Sequence, residues 1–195
     1  MEIILGSQSP RRGEILRFFS VPFLQIAPLF DEESVLFQGD PALYVQKIAF
    51  EKANLLSLKH SERIIVTADT TVFCKGKIYN KPNSREEAIS FLKDLSGNWH
   101  SVFTGVALYS QGTIETKAEE TKILFHDLTE YQINCYLNHI NFLDKAGSYA
   151  IQQTGALVVK KIEGCYYNVM GLPLTPLKEL LEKAGIDLWN HLKIL

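Results

Sequence analysis

Nothing in this chain runs apolar for long. No stretch approaches the ~18 consecutive apolar residues of a membrane-spanning helix, which excludes a helical integral membrane protein. The N-terminus offers only Ile3, Ile4 and Leu5 with no basic preamble, so no secretory signal peptide is expected. Net charge is equally scarce: 20 Lys+Arg against 22 Asp+Glu leave −2. That excludes a global basic field for nucleic acid or an anionic membrane, and any anion site must be a local cluster. The three cysteines (Cys74, Cys135, Cys165) are odd in number and widely spaced, fitting neither a disulfide framework nor a metal set. The five histidines (His60, His100, His126, His139, His191) are scattered and form no H-E-x-x-H pair. G-x-x-x-x-G-K-[ST], G-x-G-x-x-G and G-x-S-x-G are all missing. What is present is ordinary: 195 residues, 46% hydrophobic and 22% charged, with no internal repeat, low-complexity segment or linker. One α/β domain over residues 1–195, soluble and cytoplasmic, is the expectation.

The stretch around which the chain is organised is Leu5-Gly6-Ser7-Gln8-Ser9-Pro10-Arg11-Arg12. It links a short apolar strand to a helix with Ser9 as N-cap and Pro10 at the first helical position. Arg11 and Arg12 then break a rule, because cations in a first helical turn are disfavoured by roughly 0.3–1 kcal/mol each. Either the pair points into water, or an anion sits among serine hydroxyls, backbone N–H groups and guanidinium forks.

Further along, Val21 to Ile26 predicts a second strand that runs into the acidic loop Asp31-Glu32-Glu33. Three carboxylates in a row suit a solvated turn; they are also the nearest hard oxygen ligands for Mg²⁺. A helix is predicted from Pro41 to about Leu58, with Val45, Ile48, Ala49, Ala53 and Leu56 as its apolar stripe. Lys52 interrupts that stripe, and either snorkels past its neighbours or meets an anion in a cleft. The β-branched run Ile64 to Ala68 predicts a buried strand ending at Asp69-Thr70-Thr71. That aspartate either caps a turn or is delivered to the ligand-binding edge of an open sheet. Val72-Phe73 and Ile78-Tyr79 flank a tight turn and predict a hairpin, with Lys81-Pro82 next. Ser84-Arg85-Glu86-Glu87 and Thr129-Glu130-Tyr131-Gln132 are capping boxes, each opening a helix; the first ends at Gly97 and the second near Leu137. Strands are predicted over Ser101 to Tyr109, from Gln111-Gly112 through Phe125, and over Leu157 to Ile162. A last helix has Thr175 as N-cap, Pro176 first and Gly185 at its end. Cations at element ends (Arg11, Arg12, Lys52, Lys81) beside the carboxylates Glu32 and Asp69 suit metal-assisted attack of water on a polyphosphate.

Ser7-x-Ser9-Pro10-Arg11-Arg12-x-Glu14-Ile15-Leu16 resembles the opening signature of the Maf family, the septum-formation-inhibitor-like nucleoside triphosphate pyrophosphatases. The resemblance continues through Lys52-Ala53, Ala68-Asp69-Thr70, Lys81-Pro82, Thr104-Gly105-Val106, Asp144-Lys145-Ala146-Gly147, Tyr149-x-Ile151-Gln152 and Tyr167-Asn168-Val169-x-Gly171-Leu172-Pro173. It thus spans nearly the whole chain. It implies an inosine triphosphate pyrophosphatase-like α/β fold: a long mixed central sheet flanked by helices, two lobes and a cleft. It further implies divalent-metal-dependent (Mg²⁺ or Mn²⁺) hydrolysis of a nucleoside triphosphate to monophosphate and pyrophosphate, in a cytoplasmic and often homodimeric protein with no nucleic acid or membrane partner.

By the family pattern Asp69 matches the catalytic acid/base, Ser7, Arg11, Arg12, Lys52 and Lys81 match phosphate-binding positions, and Glu32 is implied as a metal or water-positioning group, with Asp69 as a further metal ligand. Thr70 and Gln152 match positions that differ between subgroups: Thr with Gln implies dTTP and UTP, whereas Gln with Glu implies 7-methyl-GTP. Four departures stand out. Gly6 replaces a common alanine and should be harmless, Asn80 and Gln153 replace glycines, and Leu29 takes the place of a frequent aspartate. A regulator of cell division that binds nucleotides, with incidental hydrolysis, is the other class of function in view.

Overall fold

The structure is a computed structural model that describes residues 2–193. The chain begins with β1 (Ile3–Gly6), α1 (Pro10–Leu16), β2 (Phe23–Ile26) and α2 (Pro41–Ser57). The hairpin of β3 (Ile65–Cys74) and β4 (Lys77–Tyr79) precedes α3 (Arg85–Leu95). A second, longer hairpin pairs β5 (Trp99–Ser110) with β6 (Thr113–Phe125) and leads to α4 (Glu130–Leu137). β7 (Val159–Glu163), the short α5 (Tyr166–Val169) and α6 (Leu174–Lys183) complete the set. The strands form one mixed sheet in the order β2-β1-β3-β5-β6-β7, with β4 beside the far end of β3. β2, β1 and β3 are parallel; β5, β6 and β7 continue antiparallel. The expected α/β class with a long mixed sheet is what the chain adopts. No helix among the described residues is long and apolar enough to cross a membrane.

Alternation along the strands divides the core in two. Ile3, Leu5, Val66 and Val106 pack with α1, α3, α4 and α6 on one face. Ile4, Ile65 and Ala107 pack on the other, beneath Ala49, Ala53 and Leu56 of α2. α2 lies very close to the sheet because position 105 has no side chain: a Cβ there would come within 2.5 Å of the Val45 carbonyl carbon. The Thr67 hydroxyl donates to the Ala49 carbonyl across this contact, at 2.6 Å. Gly6 is also less neutral than its sequence context implies, since a Cβ would lie 2.5 Å from Leu56 Cδ1 and 2.7 Å from Thr67 Cγ2.

Several predicted boundaries shift. β3 does not stop at Asp69; pairing with β5 carries it to Cys74. Ser9 does sit at the N-cap of α1, yet its side chain makes no cap bond. Ser84 accepts from the Glu87 amide, but Glu87 returns to the Asn83 amide rather than closing the box on Ser84. The Thr129–Gln132 box closes in both directions. α6 starts at Leu174 with Pro173 as its cap, so Thr175 and Pro176 already lie inside the first turn.

Candidate active site

β1 leaves β3 at Gly6, opposite Thr67, and β4 joins it only at Val72. Between them residues 68–71 present an edge that no described strand covers, and a cleft of about 620 Å³ opens there. Its walls come from the turn after β1, the acidic turn after β2, and residues 143–152 and 169–171. Ser7, Arg11, Arg12, Glu32, Lys52, Asp69, Thr70, Lys81 and Gln152 all line this one cleft.

Lys52 is at its base. The α2 stripe that buries Ala49 and Ala53 also buries this side chain, leaving it 4% exposed. Its ammonium bridges two carboxylates, 2.8 Å from Asp69 Oδ1 and 2.6 Å from Glu32 Oε1. Lys81 takes the other Glu32 oxygen at 2.9 Å. Burial pushes the Asp69 carboxyl above its ordinary range, more than the Lys52 ammonium pulls it down, and the Glu32 charge adds to the rise. Burial would raise Glu32 as well, but the ammoniums of Lys52 and Lys81 prevail and hold it at about 2. One carboxylate is thus kept ionised beside another that takes up protons more readily.

The two arginines point inward rather than into water. Arg12 donates through Nη1 to Ser7 Oγ (3.1 Å), through Nη2 to Thr70 Oγ1 (3.1 Å) and through Nε to the Gly171 carbonyl (2.7 Å). Burial lowers its pKa, with Asp69 and Glu32 acting against the shift. Arg11 crosses the cleft to Asp144, meeting Oδ2 at 3.1 Å and the carbonyl at 3.2 Å. Gln152 lines the cleft just ahead of the turn Gln153–Leu157, in which Gln153 holds φ +51.

Other groups that shape the site carry no local signature. Gln25 donates to the carbonyls of Ser7 and Ser9 and so fixes the turn after β1. Asn80 accepts from Thr71 (2.7 Å), donates to the Tyr44 hydroxyl (3.0 Å) and takes the Gly147 amide on its carbonyl (3.2 Å). Leu29 is 87% exposed and does not line the cleft, whereas Asp31 and Glu33 do. The lining cations Arg11, Arg12, Lys52, Lys81 and Lys145 face the carboxylates Asp31, Glu32, Glu33, Asp69 and Asp144, so the cleft has no formal charge surplus.

A family model described as Maf-like protein matches residues 2–184. The chain belongs to the Maf family. A protein of Chlamydia caviae named dTTP/UTP pyrophosphatase is 47% identical over 192 residues, covering 98% of each chain. Its namesake in Chlamydia trachomatis serovar L2 is 40% identical over 97% of each. A Chlamydia muridarum protein named nucleoside triphosphate pyrophosphatase is 38% identical over 98% of each. The Staphylococcus aureus Ham1 protein has the same fold, with TM-score 0.53 and 15% identity over 94% of this chain and 100% of that one. In this Maf chain, the opening and closing signature segments are the two walls joined by Arg12, which runs from Ser7 to Gly171.

Proposed function

We propose that this protein hydrolyses pyrimidine nucleoside triphosphates, dTTP and UTP, to the monophosphate and pyrophosphate. The observation that carries the reading is the buried Lys52 ammonium bridging Asp69 and Glu32 beneath the uncovered edge of β3. A site for binding alone has no need of a buried carboxylate; one that must accept a proton from attacking water does. Asp69 takes that proton as water attacks the α-phosphorus and the bond to the pyrophosphate oxygen breaks. Its raised pKa brings it closer to the pH at which a base is useful. Lys52, Lys81, Arg11 and Arg12, with the Ser7 hydroxyl, surround the phosphate chain and stabilise charge on the leaving pyrophosphate. Thr70 and Gln152 meet the base.

A divalent cation fits the donor set. No group of three or more His, Cys, Asp or Glu that could hold a metal exists among the described residues. Mg²⁺, however, takes one or two carboxylates and leaves its remaining positions to water and substrate phosphates. Glu32 and Asp69 would hold it, and it would supply the positive charge that a neutral cleft lacks toward a triphosphate. The hard-oxygen site suits Mg²⁺ or Mn²⁺. The names borne by the relatives support the same activity over a purely regulatory role, and the family match over residues 2–184 supports one functional domain. Pyrophosphate release across a nucleotide panel with Mg²⁺ or Mn²⁺ tests the reading: dTTP and UTP should lead, and no release from either would refute it.

A further inference from the structure

Arg11 and Asp144 face each other from opposite walls of the cleft. The Arg11 guanidinium donates to the Asp144 carboxylate and to the Asp144 backbone carbonyl. A carboxylate thus occupies the place of the anion that a first-turn arginine calls for. The same carboxylate holds a second cation: Lys145 Nζ lies 2.6 Å from Asp144 Oδ1 and 2.6 Å from the Asn141 carbonyl. Burial would raise the Asp144 carboxyl, but Lys145 and Arg11 hold it below its ordinary range. If Arg11 turned to another anion, Asp144 would keep Lys145, so neither charge would be stranded. The segment that carries Asp144 is also held against its own preference. Gly147 (φ +67) and Ser148 (φ +63) are consecutive left-handed residues, and the second bears a side chain. Ser148 is fully buried, and its hydroxyl finds no partner among the described residues. Arg11 ties this segment to α1, and the Gly147 amide ties it to the Asn80 carbonyl.

We infer that Asp144 is a positioning residue that trades Arg11 with the phosphate chain: it holds the guanidinium across the empty cleft, yields it to an entering triphosphate and recaptures it as pyrophosphate leaves. A phosphate offers the guanidinium paired oxygen acceptors with more negative charge than a carboxylate, so the phosphate prevails while it is seated. As the product loosens, the Asp144 carboxylate competes for Arg11 and hastens departure. The strained segment at Gly147 and Ser148 gives the wall a second arrangement to relax into once Arg11 lets go. The inference rests on the reading above that a phosphate chain enters this cleft, and the two fail differently.

The test is calorimetric titration with inorganic pyrophosphate in Mg²⁺ buffer, on wild type, Asp144→Asn, Arg11→Ala and the double variant. Asp144→Asn keeps the shape and removes the competing charge, so pyrophosphate should bind about fivefold more tightly. In the Arg11→Ala background most of that gain should vanish, because Lys145 stays anchored at the Asn141 carbonyl. KM for UTP should fall in Asp144→Asn as well, whereas a residue that merely braces the wall would raise it when replaced. Unchanged or weaker pyrophosphate binding by Asp144→Asn overturns the inference. Equal gains in both backgrounds overturn it too, since they report net charge rather than competition for Arg11. A wild type that binds no pyrophosphate does the same. A wild type that binds pyrophosphate but releases none from UTP or dTTP defeats the hydrolytic reading and leaves this one to the titrations. Should Asp144→Asn fail to fold, wild type still decides through amide hydrogen exchange. The Lys145 and Ser148 amides, bonded to the Phe142 and Lys145 carbonyls, should exchange faster with pyrophosphate bound; slower or unchanged exchange overturns the inference.

Discussion

At the residue scale the site turns on one ammonium shared by two carboxylates of opposite tendency. Asp69 is raised by burial and Glu32 held at about 2 by two lysines, so a falling pH protonates Asp69 first. If Asp69 is the proton acceptor, kcat should decline on the acid side as this carboxylate takes up a proton. Asp69→Asn should cost on the order of 10²–10⁴ in kcat and abolish that decline; a pH–rate profile of both proteins checks this. His100 makes a separate pH prediction about stability. Burial beside Phe125 and Tyr149 lowers its pKa to about 4. Between that value and the ordinary 6.5 the unfolded chain binds a proton that the folded chain refuses, so stability falls as pH falls through this window. The loss approaches roughly 3 kcal/mol at the lower end. Asp69 acts in the opposite sense, since its folded-state pKa is raised. The difference between wild type and His100→Gln in urea titrations at several pH values therefore isolates the histidine. Equal pH slopes in the two proteins would contradict the assignment.

At the element scale the uncovered stretch of β3 is held open from both ends, and Asn80 is the brace. Its side chain ties β3 at Thr71 to α2 at Tyr44, and its carbonyl holds the loop at Gly147, one residue before the Lys81 that reaches Glu32. Asn80→Gly should cost about 1–3 kcal/mol in denaturant unfolding, because the hydroxyls of two buried residues, Thr71 and Tyr44, lose their partner. It should also raise KM more than it lowers kcat, as Lys81 loses its anchor. Gln153 is the converse case. Its φ of +51 costs a side-chain-bearing residue about 1 kcal/mol, so Gln153→Gly should raise the melting temperature, which thermal unfolding of the two proteins checks.

The same scale separates what was legible in the sequence from what was not. Helix α2, the closed capping box at Thr129 and the hairpin turns are local signals, and they hold in the structure. Arg12 and Lys52 were legible as rule-breakers, a cation in a first turn and a cation in an apolar stripe. The continuation of β3 past Asp69 was not, because β5 decides it, through pairs that run from Thr70 with Thr104 to Phe73 with Ser101. Asp144 and Gly171 fall in segments that carry the family resemblance, but their roles do not show there, because they act through partners distant in sequence; Gln25 lies in no such segment and was missed outright.

At the scale of the whole molecule, the balance of charge in the cleft decides how a triphosphate is held. Three of the four cations proposed to hold phosphate already pair with carboxylates: Arg11 with Asp144, Lys52 with Asp69 and Glu32, Lys81 with Glu32. A triphosphate entering without a cation must displace these carboxylates, in a cleft whose five lining carboxylates balance its five lining cations in formal charge. Metal-free triphosphate should therefore bind weakly, and removal of divalent metal should weaken triphosphate binding far more than monophosphate binding. Glu32 gives this balance its sharpest test, because it neutralises two lysines at once. Glu32→Gln leaves Lys52 paired with Asp69 alone and frees Lys81, giving the cleft a net positive charge. The variant should be nearly inactive with metal, since one of the two carboxylates that would hold the cation is gone. It should nevertheless bind metal-free UTP more tightly than wild type, by on the order of 1 kcal/mol or about fivefold at low ionic strength, with the gain fading as salt rises. Calorimetric titration in the presence of a chelator measures it. Weaker metal-free binding by Glu32→Gln would mean that Glu32 orders the two lysines for phosphate rather than competing with it.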